Sequence, residues 1–288
     1  MKKIDLHTHT TASDGIYSPR ELIDLAMHNG IVAMAITDHD TVDGLDEAVE
    51  YANARGFRLF PGIEFSIDYD DGSFHLLGLN LDYGDDALGR TLCFLTEERE
   101  KRANRIIDDL KRHGIDIPIE EVLALAGGGT IGRPHVARVM VNRGHAATIK
   151  ELFQGYLVKG KPGYVKKTRI AFKEAVSLIH SCGGIAVIAH PVSLECRDMD
   201  HFETLLKGFI DTGVEGIEAY AGMHTPEMAE AYRAMGERYG LLITGGSDFH
   251  GDKDEVIGYY RKGELIPTTI LEGLEEYIAE GPERRRRG

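Results

Sequence analysis

Histidine and carboxylate side chains follow short apolar runs at several points of this 288-residue chain, which contains 13 histidines. Alternate residues of an extended strand share a face, so His7 and His9 point the same way, as do Asp248 and His250. Imidazole and carboxylate groups are ligands that Mn, Fe and Zn accept. The candidate metal ligands are His7, His9, Asp14, His39, Glu64, His75, His190, Asp248 and His250.

This set is too large for a single metal ion. It suits roughly two to three divalent ions, with a carboxylate such as Glu64 as a natural bridge between them. A lone histidine at a strand end is more often a hydrogen-bonded structural residue than a ligand. Histidines or acids at five successive strand ends are much harder to explain by chance, so the joint pattern predicts a multinuclear metal centre (Mn, Fe or Zn).

The elements that must position these side chains alternate between strand and helix. Ser18, Pro19 and Glu21 give the pattern of a capped helix start, with proline at the first helical position. Repeated β-α units predict a parallel sheet covered by helices, either a closed barrel or an open doubly wound sheet. In both, functional residues gather at the carboxyl ends of the strands. The predicted strands are Lys2–Leu6, Ile31–Ile36, Arg58–Phe65, Phe74–Leu81, Ile185–Ala189, Gly216–Tyr220 and Leu241–Thr244.

The middle of the chain interrupts this alternation. Residues 85–161 have a helical pattern, with predicted helices at Thr96–His113, Ile119–Ala126, Pro134–Arg143 and Thr148–Leu157. Between Arg99 and Arg169 there are 15 basic and 7 acidic residues, a local charge of +8 in a chain of net charge −14. We therefore expect a barrel or sheet domain at 1–84 and 162–288, with a basic helical insertion at 85–161 that could hold an anion.

Composition excludes several other classes of protein. Hydrophobic residues make up 42% of the chain and charged residues 28%, as in an ordinary folded protein. Apolar runs are too short to span a bilayer. The cysteines, Cys93, Cys182 and Cys196, are too few and too far apart for a disulfide framework. No dinucleotide-binding fingerprint follows the first strand. We expect a cytoplasmic protein that needs no membrane and no obligate protein partner.

Five motifs together resemble the polymerase and histidinol phosphatase (PHP) superfamily: Asp5-Leu6-His7-Thr8-His9, Thr37-Asp38-His39-Asp40, Gly62-Ile63-Glu64, Ala189-His190-Pro191 and Gly246-Ser247-Asp248-Phe249-His250. The resemblance implies an α/β fold, a distorted (β/α)7 barrel, with a trinuclear metal centre. It implies one metal at His7, His9, Glu64 and Asp248, a second at Glu64, His75 and His190, and a third at Asp14, His39 and His250.

The insertion resembles one branch of that superfamily, which contains 3′,5′-nucleotide bisphosphate phosphatases and related 5′→3′ exoribonucleases. The similar segments surround Gly132-Arg133-Pro134-His135 and Gly160-Lys161-Pro162-Gly163. The resemblance implies that Arg133 and His135 contact a substrate phosphate. A planar guanidinium suits phosphate, and Pro134 at a helix start directs nearby backbone N–H groups toward an anion. Alternatively, Arg133 is a surface charge and His135 caps a helix.

We therefore expect a metal-dependent hydrolase that cleaves nucleotide phosphomonoesters, above all 3′,5′-nucleotide bisphosphates, with release of an AMP-like mononucleotide and phosphate. Clustered divalent ions lower the pKa of a bound water and so supply hydroxide for attack. Glu64, His190 and Asp248 take the catalytic roles. Alternative substrates are short 5′-phosphorylated RNA and histidinol phosphate. An amidohydrolase would leave Asp14, His39 and His250 surplus, and a non-enzymatic metal-binding scaffold fits poorly with a complete ligand set.

Overall fold

Seven strands form the main sheet and follow the chain in order. The computed structural model describes residues 2–69, 72–126, 131–253 and 255–281. The strands are β1 (Lys3–Asp5), β2 (Ile31–Ile36), β3 (Arg58–Ser66), β4 (His75–Leu79), β5 (Ile185–Ile188), β6 (Gly216–Ala221) and β7 (Leu242–Gly246). Each strand pairs with its neighbour in sequence, so every predicted strand is confirmed with small changes at its ends.

The sheet closes on itself and contains one reversed strand. β1, β2 and β3 run parallel, β4 is antiparallel to both its neighbours, and β5, β6 and β7 are again parallel. At the seam between β1 and β7, the Leu6 N–H donates to the Gly245 carbonyl at 3.2 Å, and the Asp248 N–H donates to the His7 carbonyl at 3.0 Å. The described residues between β3 and β4, which are 67–69 and 72–74, contain no helix. The predicted distorted (β/α)7 barrel is therefore confirmed.

Ten helices are seen in the described part of the chain. They are α1 (Pro19–His28), α2 (Leu45–Arg55), α3 (Asp86–Arg112), α4 (Ile119–Ala126), α5 (Arg133–Asn142), α6 (Ile149–Leu152), α7 (Phe172–Ser181), α8 (Met199–Thr212), α9 (Pro226–Arg238) and α10 (Thr269–Glu280). At the start of α1, the Ser18 side chain accepts from the Glu21 N–H, and the Glu21 carboxylate accepts from the Ser18 N–H, which confirms the predicted capping box. None of the helices is both long and apolar enough to cross a bilayer.

Apolar side chains of the barrel unit pack on both sides of the strands. Leu22 and Ile23 of α1 and Ala48 of α2 form one fully buried cluster with Met34 and Ile36 of β2. A second cluster joins the strands to α9 and α10. Its members include Ile4, Ala33, Leu77, Val187, Ala229, Ile270 and Leu274. Burial of these clusters fixes the strands and thereby the positions where the strands end.

The chain divides into two compact units, one formed by Met1–Gly89 with Ile170–Gly288 and the other by Arg90–Arg169. The second unit is helical and has its own core, in which Ile106, Leu110 and Met140 are buried. Its first helix, α3, begins at Asp86, ten residues before the predicted start at Thr96. Asp85 caps it by accepting the N–H groups of Ala87 and Leu88.

Two features were absent from the predicted elements. A small hairpin, β8 (Tyr259–Arg261) and β9 (Glu264–Leu265), follows the barrel strands. Residues Phe153–Leu157, predicted as the end of an α-helix, form a turn of π-helix after α6. The strands of the hairpin, Tyr-Tyr-Arg and Glu-Leu, contain no apolar run from which a strand could be predicted.

Candidate metal centre

The nine candidate ligands are placed at one edge of the barrel by the ends of its strands. His7 and His9 come directly after β1, and His39 comes after β2. Glu64 lies near the end of β3. Because β4 runs in the opposite direction, its first residue, His75, lies beside that end and pairs with Ser66. The remaining ligands follow β5 (His190) and β7 (Asp248 and His250), and Asp14 lies in the loop after β1.

Donor atoms of these residues form three groups, in each of which all the ligand atoms lie within 4.8 Å of one another. The groups are His7, His9, Glu64 and Asp248; His9, Asp14, His39 and His250; and His39, Glu64 and His75. His190 adjoins the third group, with its Nε2 2.9 Å from Glu64 Oε1 and 3.3 Å from His75 Nδ1. The structure thus brings all nine residues together, and the first group has the same four members that the family resemblance implies.

Glu64 is the central residue of the site and is fully buried. Its Oε1 lies 2.9 Å from His75 Nδ1 and 3.4 Å from His7 Nε2. Its Oε2 lies 2.7 Å from His39 Nδ1 and 3.5 Å from His9 Nε2. Because the two oxygens face different histidines, one carboxylate can serve two ions at the same time.

Several buried atoms of the site are suited to a cation rather than to a hydrogen bond. Among the described residues, His7 Nε2 and His9 Nδ1 are buried and make no hydrogen bond, and Glu64 Oε2 and His39 Nδ1 lie 2.7 Å apart without the geometry of one. Buried polar atoms are nearly always paired, so unpaired ones need a physical reason. Nitrogen and oxygen donors gathered this closely are the ligand set of a divalent transition metal. The residues present therefore fit the metal ions that the sequence predicts.

Neighbouring groups fix the orientation of two of the imidazole rings. His250 Nδ1 donates to the Asp248 carbonyl at 2.8 Å. Ser193 donates its hydroxyl proton to the Ser73 carbonyl at 2.8 Å, so its oxygen accepts from His190 Nδ1 at 2.9 Å. In both rings Nδ1 carries a proton, so Nε2 is the nitrogen that can offer a lone pair to a metal.

The carboxylates of the site are held in their charged form. Burial by itself would raise the pKa of Glu64, but His39, His75 and His7 hold that pKa well below its ordinary value. Burial likewise opposes ionisation of Asp248, and His7 and His9 outweigh it, so the pKa of Asp248 is lowered. For His250, burial favours the neutral ring, yet Asp14 and Asp248 raise its pKa to about 9. The carboxylates of the centre therefore hold negative charge that cations can neutralise, and a metal that binds the His250 ring takes the place of a proton.

Three acidic residues close to the ligands accept backbone N–H groups near the site. Asp5 accepts the Ser247 N–H at 2.9 Å and the Gly258 N–H at 2.7 Å, so it ties the loop after β7 to β1. Asp38 accepts the Thr10 N–H at 2.7 Å, and Asp40 accepts the Ser66 N–H at 2.7 Å. The contacts of Asp5 and Asp38 are those of structural groups that hold neighbouring loops in place.

Glu218 is a buried acid next to the ligands that the sequence interpretation missed. It lies in the middle of β6 and is fully buried, and its Oε1 is 3.0 Å from His7 Nδ1. A charged residue inside an otherwise apolar strand was the available signal, because an ionised group is rarely buried without a partner. Glu218 lies inside its strand, so a prediction based on the residues at strand ends does not include it.

The two residues expected to contact substrate phosphate lie at the start of α5 in the second unit. Arg133 donates from Nη1 to the Leu157 carbonyl at 2.9 Å, and its guanidinium lies over the Phe153 ring. His135 Nδ1 accepts the Gly132 N–H at 3.0 Å and so caps the helix. This capping contact is the structural alternative named for His135, and the phosphate contact of both residues stays a prediction.

We expect the purified protein to bind roughly two to three divalent ions per chain, because three groups of donor atoms share ligands within one site. Elemental analysis of protein that has never been exposed to a chelator, followed by titration with Mn²⁺ and Zn²⁺, measures this number. Fewer than two ions at saturation would contradict a multinuclear centre.

The chain matches a known protein family and is similar to proteins whose names describe the hydrolysis of phosphate esters. The PHP domain family matches residues 5–165. A 3′,5′-nucleoside bisphosphate phosphatase from Chromobacterium violaceum is 35% identical over 96% of this chain and 98% of its own length. A 5′-3′ exoribonuclease from Salmonella typhimurium is 35% identical over 85% of this chain and 84% of its own. A solved structure from Bifidobacterium adolescentis, assigned as a metal-dependent phosphoesterase, shares 29% identity with a TM-score of 0.78, covering 93% of this chain and 94% of that one.

Proposed function

Since the chain belongs to the PHP domain family and is a metal-dependent phosphoesterase, we propose that it hydrolyses 3′,5′-nucleotide bisphosphates to a mononucleotide and phosphate. Such a substrate carries two phosphate groups, one that is cleaved and one that is only bound. The observation that carries the proposal is a cluster of arginines in the second unit that is suited to the second group. We call Arg99, Arg102, Arg133 and Arg169 the arginine cluster.

The arginine cluster places like charges together at a cost in folding energy. Arg99 and Arg102 are buried, and the Nε atom of Arg169 is buried with no hydrogen-bond partner among the described residues. Burial, together with the nearby charges of Arg133 and Arg169, lowers the pKa of Arg102 to about 10. A phosphate bound there would offset this repulsion and accept the planar N–H donors of the guanidinium groups.

Hydrolysis is assigned to the candidate metal centre. Divalent ions bound there, Mn, Fe or Zn, would neutralise phosphoryl oxygens and lower the pKa of a water molecule. Glu64 would hold the ions from its two oxygens, and Asp248, with a side chain 23% exposed, can face both the ions and the substrate. Ser193 holds the His190 ring with Nε2 directed to Glu64 Oε1, so this ring is oriented before any substrate binds.

A second candidate activity is 5′→3′ hydrolysis of short 5′-phosphorylated RNA. The similarity to the exoribonuclease from Salmonella typhimurium favours it, since that protein matches 85% of this chain. A phosphate-binding arginine cluster would suit a 5′-phosphate at the end of an RNA strand equally well. Histidinol phosphate has no second phosphate group, so the arginine cluster argues against it.

Steady-state kinetics with Mn²⁺ on four substrates test the proposal: an adenosine 3′,5′-bisphosphate, 3′-AMP, 5′-AMP and a short 5′-phosphorylated RNA. We expect kcat/KM to be at least about tenfold higher for the bisphosphate than for either mononucleotide, because a second charge-assisted contact is worth more than 1.4 kcal/mol. A preference for the RNA would support the exoribonuclease activity instead. Failure to hydrolyse all four would overturn both.

Replacement of Arg133 by alanine is expected to lower kcat/KM for the bisphosphate. The decrease should correspond to a loss of about 2–3 kcal/mol of transition-state stabilisation, the scale of a charge-assisted phosphate contact. Because Arg133 is not a candidate metal ligand, the metal content should not change. Hydrolysis of a small generic phosphomonoester should fall much less. The kinetics of both substrates and the metal content are measured together.

Arg138→Ala provides the matched control, since Arg138 is exposed and lies on the same helix, α5. We expect it to retain wild-type kinetics. Equal losses with the two substrates in Arg133→Ala would place Arg133 at the reacting phosphoryl group, and no loss with either would make it a surface charge only.

A further inference from the structure

β6 is the strand of the barrel that supplies none of the nine candidate ligands, yet it carries a buried acid. Glu218 is in the middle of this strand and is 0% exposed. Burial of a carboxylate costs several kcal/mol unless hydrogen bonds compensate it. The neighbours of Glu218 must therefore supply hydrogen bonds to its carboxylate.

Both oxygens of Glu218 contact residues of the metal centre. Oε1 lies 3.0 Å from His7 Nδ1, and Oε2 lies 3.3 Å from the same nitrogen. Oε2 also accepts the backbone N–H of His190 at 2.7 Å. A single carboxylate thus contacts two candidate ligands that come from different strands, β1 and β5.

The contact with His7 determines which ring nitrogen can bind a metal. A charged carboxylate only accepts hydrogen bonds, so His7 Nδ1 must carry a proton. Nε2 is then the nitrogen of His7 that can offer a lone pair to an ion, and it lies 3.4 Å from Glu64 Oε1 and 3.3 Å from Asp248 Oδ1. With the proton on the opposite nitrogen, Nε2 could not coordinate an ion.

The contact with His190 acts on the backbone. His190 has φ 23° and ψ 66°, a conformation that side-chain-bearing residues rarely adopt. Such a conformation persists only where the surroundings hold it. The backbone N–H of His190 donates a short hydrogen bond to Glu218. This bond helps to hold the unusual backbone conformation of His190 at the end of β5.

We propose that Glu218 is a positioning residue of the metal centre, which selects the metal-binding form of His7 and holds the backbone of His190. The proposal rests on the metal-dependent function proposed above. It predicts that Glu218 controls metal affinity without itself coordinating an ion, because both of its oxygens are already occupied by N–H donors.

The chain contains a matched control just before the same strand. Glu215 accepts a hydrogen bond from a histidine ring, His180 Nε2 at 3.0 Å, and from a backbone N–H, that of Ala186 at 3.1 Å. The chemistry is the same as at Glu218, but neither partner is a candidate ligand. Glu215→Gln therefore reproduces the loss of a structural carboxylate without affecting the metal centre.

The test measures Mn²⁺ affinity and stoichiometry by calorimetric titration of the full chain, for wild type, Glu218→Gln and Glu215→Gln. A glutamine can keep one acceptor for the His190 N–H but turns its NH₂ group toward His7 Nδ1, which favours the wrong tautomer. We expect Glu218→Gln to weaken binding of at least one ion by about 10- to 100-fold, the usual effect of removing such a support, with unchanged binding in Glu215→Gln.

Each result separates the two proposals. Wild-type affinity in Glu218→Gln, or an equal loss in Glu215→Gln, would overturn the role of Glu218 while leaving the metal centre intact. A wild-type protein that binds no Mn²⁺ would overturn the metal centre and this role with it. If Glu218→Gln does not fold, long-range ¹H–¹⁵N spectra of Zn²⁺-loaded wild type decide the matter. His7 should show a protonated Nδ1 and a coordinated Nε2, and coordination through Nδ1 would overturn the proposal.

Discussion

Glu64→Gln is expected to lower kcat/KM for nucleotide substrates by about a thousandfold or more, which is roughly 4 kcal/mol of transition-state stabilisation. The two carboxylate oxygens of Glu64 lie close to ring nitrogens of His7, His39 and His75. An amide has one acceptor oxygen and no charge, so ions that share this residue should bind weakly or not at all. Elemental analysis and kinetics on the same preparation measure the two effects.

The loss of activity should exceed any loss of stability. The thermal unfolding of Glu64→Gln without metal reports on the fold, and Glu47→Gln gives the control, since Glu47 makes an exposed ion pair with Arg20 at 2.8 Å. We expect the control to keep activity and metal content. A Glu64→Gln variant that is folded and fully active would refute the central position given to this residue.

Gly246→Ala is expected to lower the free energy of unfolding by about 3 kcal/mol or more, because overpacking against backbone leaves little room for relaxation. Gly246 ends β7 at the barrel seam. A Cβ atom there would lie 2.5 Å from the backbone nitrogen of His7 and closer still to the His7 Cβ. To relieve this overlap, β7 must move away from β1, so metal binding should weaken too. Urea denaturation and metal titration measure the two changes.

The same substitution on a helix provides the control. Gly273 lies within α10, and a Cβ atom there would meet only Leu242 Cδ1, at 3.9 Å. Gly273→Ala should stabilise the protein by up to about 1 kcal/mol, the difference in helix propensity between the two residues. Equal stability of Gly246→Ala and wild type would show that the seam is looser than the structure indicates.

The barrel and the gathering of the nine candidate ligands at one edge of it could be predicted from the sequence because both depend on local patterns. Buried strands appear as short apolar runs, and the residues that follow them, such as His39 and His190, lie at one edge of a sheet. The start of α1 was predictable because Ser18 and Glu21 cap each other across one turn. These signals span only a few residues and need no knowledge of the tertiary structure.

The features that escaped prediction depend on distance in space or on competing local signals. Gly84 and Gly89 disfavour a helix near Asp85, which is why the sequence predicts a later start for α3. In the structure the Asp85 side chain caps the helix and outweighs the effect of the two glycines, so α3 begins at Asp86. The role of Glu218 depends on His7, 211 residues away in the chain. Which donor atoms of His9 or His39 face one another is likewise set by ring orientation, which no spacing rule provides.

Ligands from opposite ends of the chain meet at the barrel seam, where His9 and Asp248 are 239 residues apart in sequence and 3.0 Å apart in space. Contacts of such long range form late in folding, because the chain must first lose the entropy of a very large loop. During synthesis, six of the nine candidate ligands emerge by residue 75, but two of the three donor groups need Asp248 or His250. An ion bound in either of those groups therefore marks a chain that has been synthesised past Asp248 and whose barrel has closed.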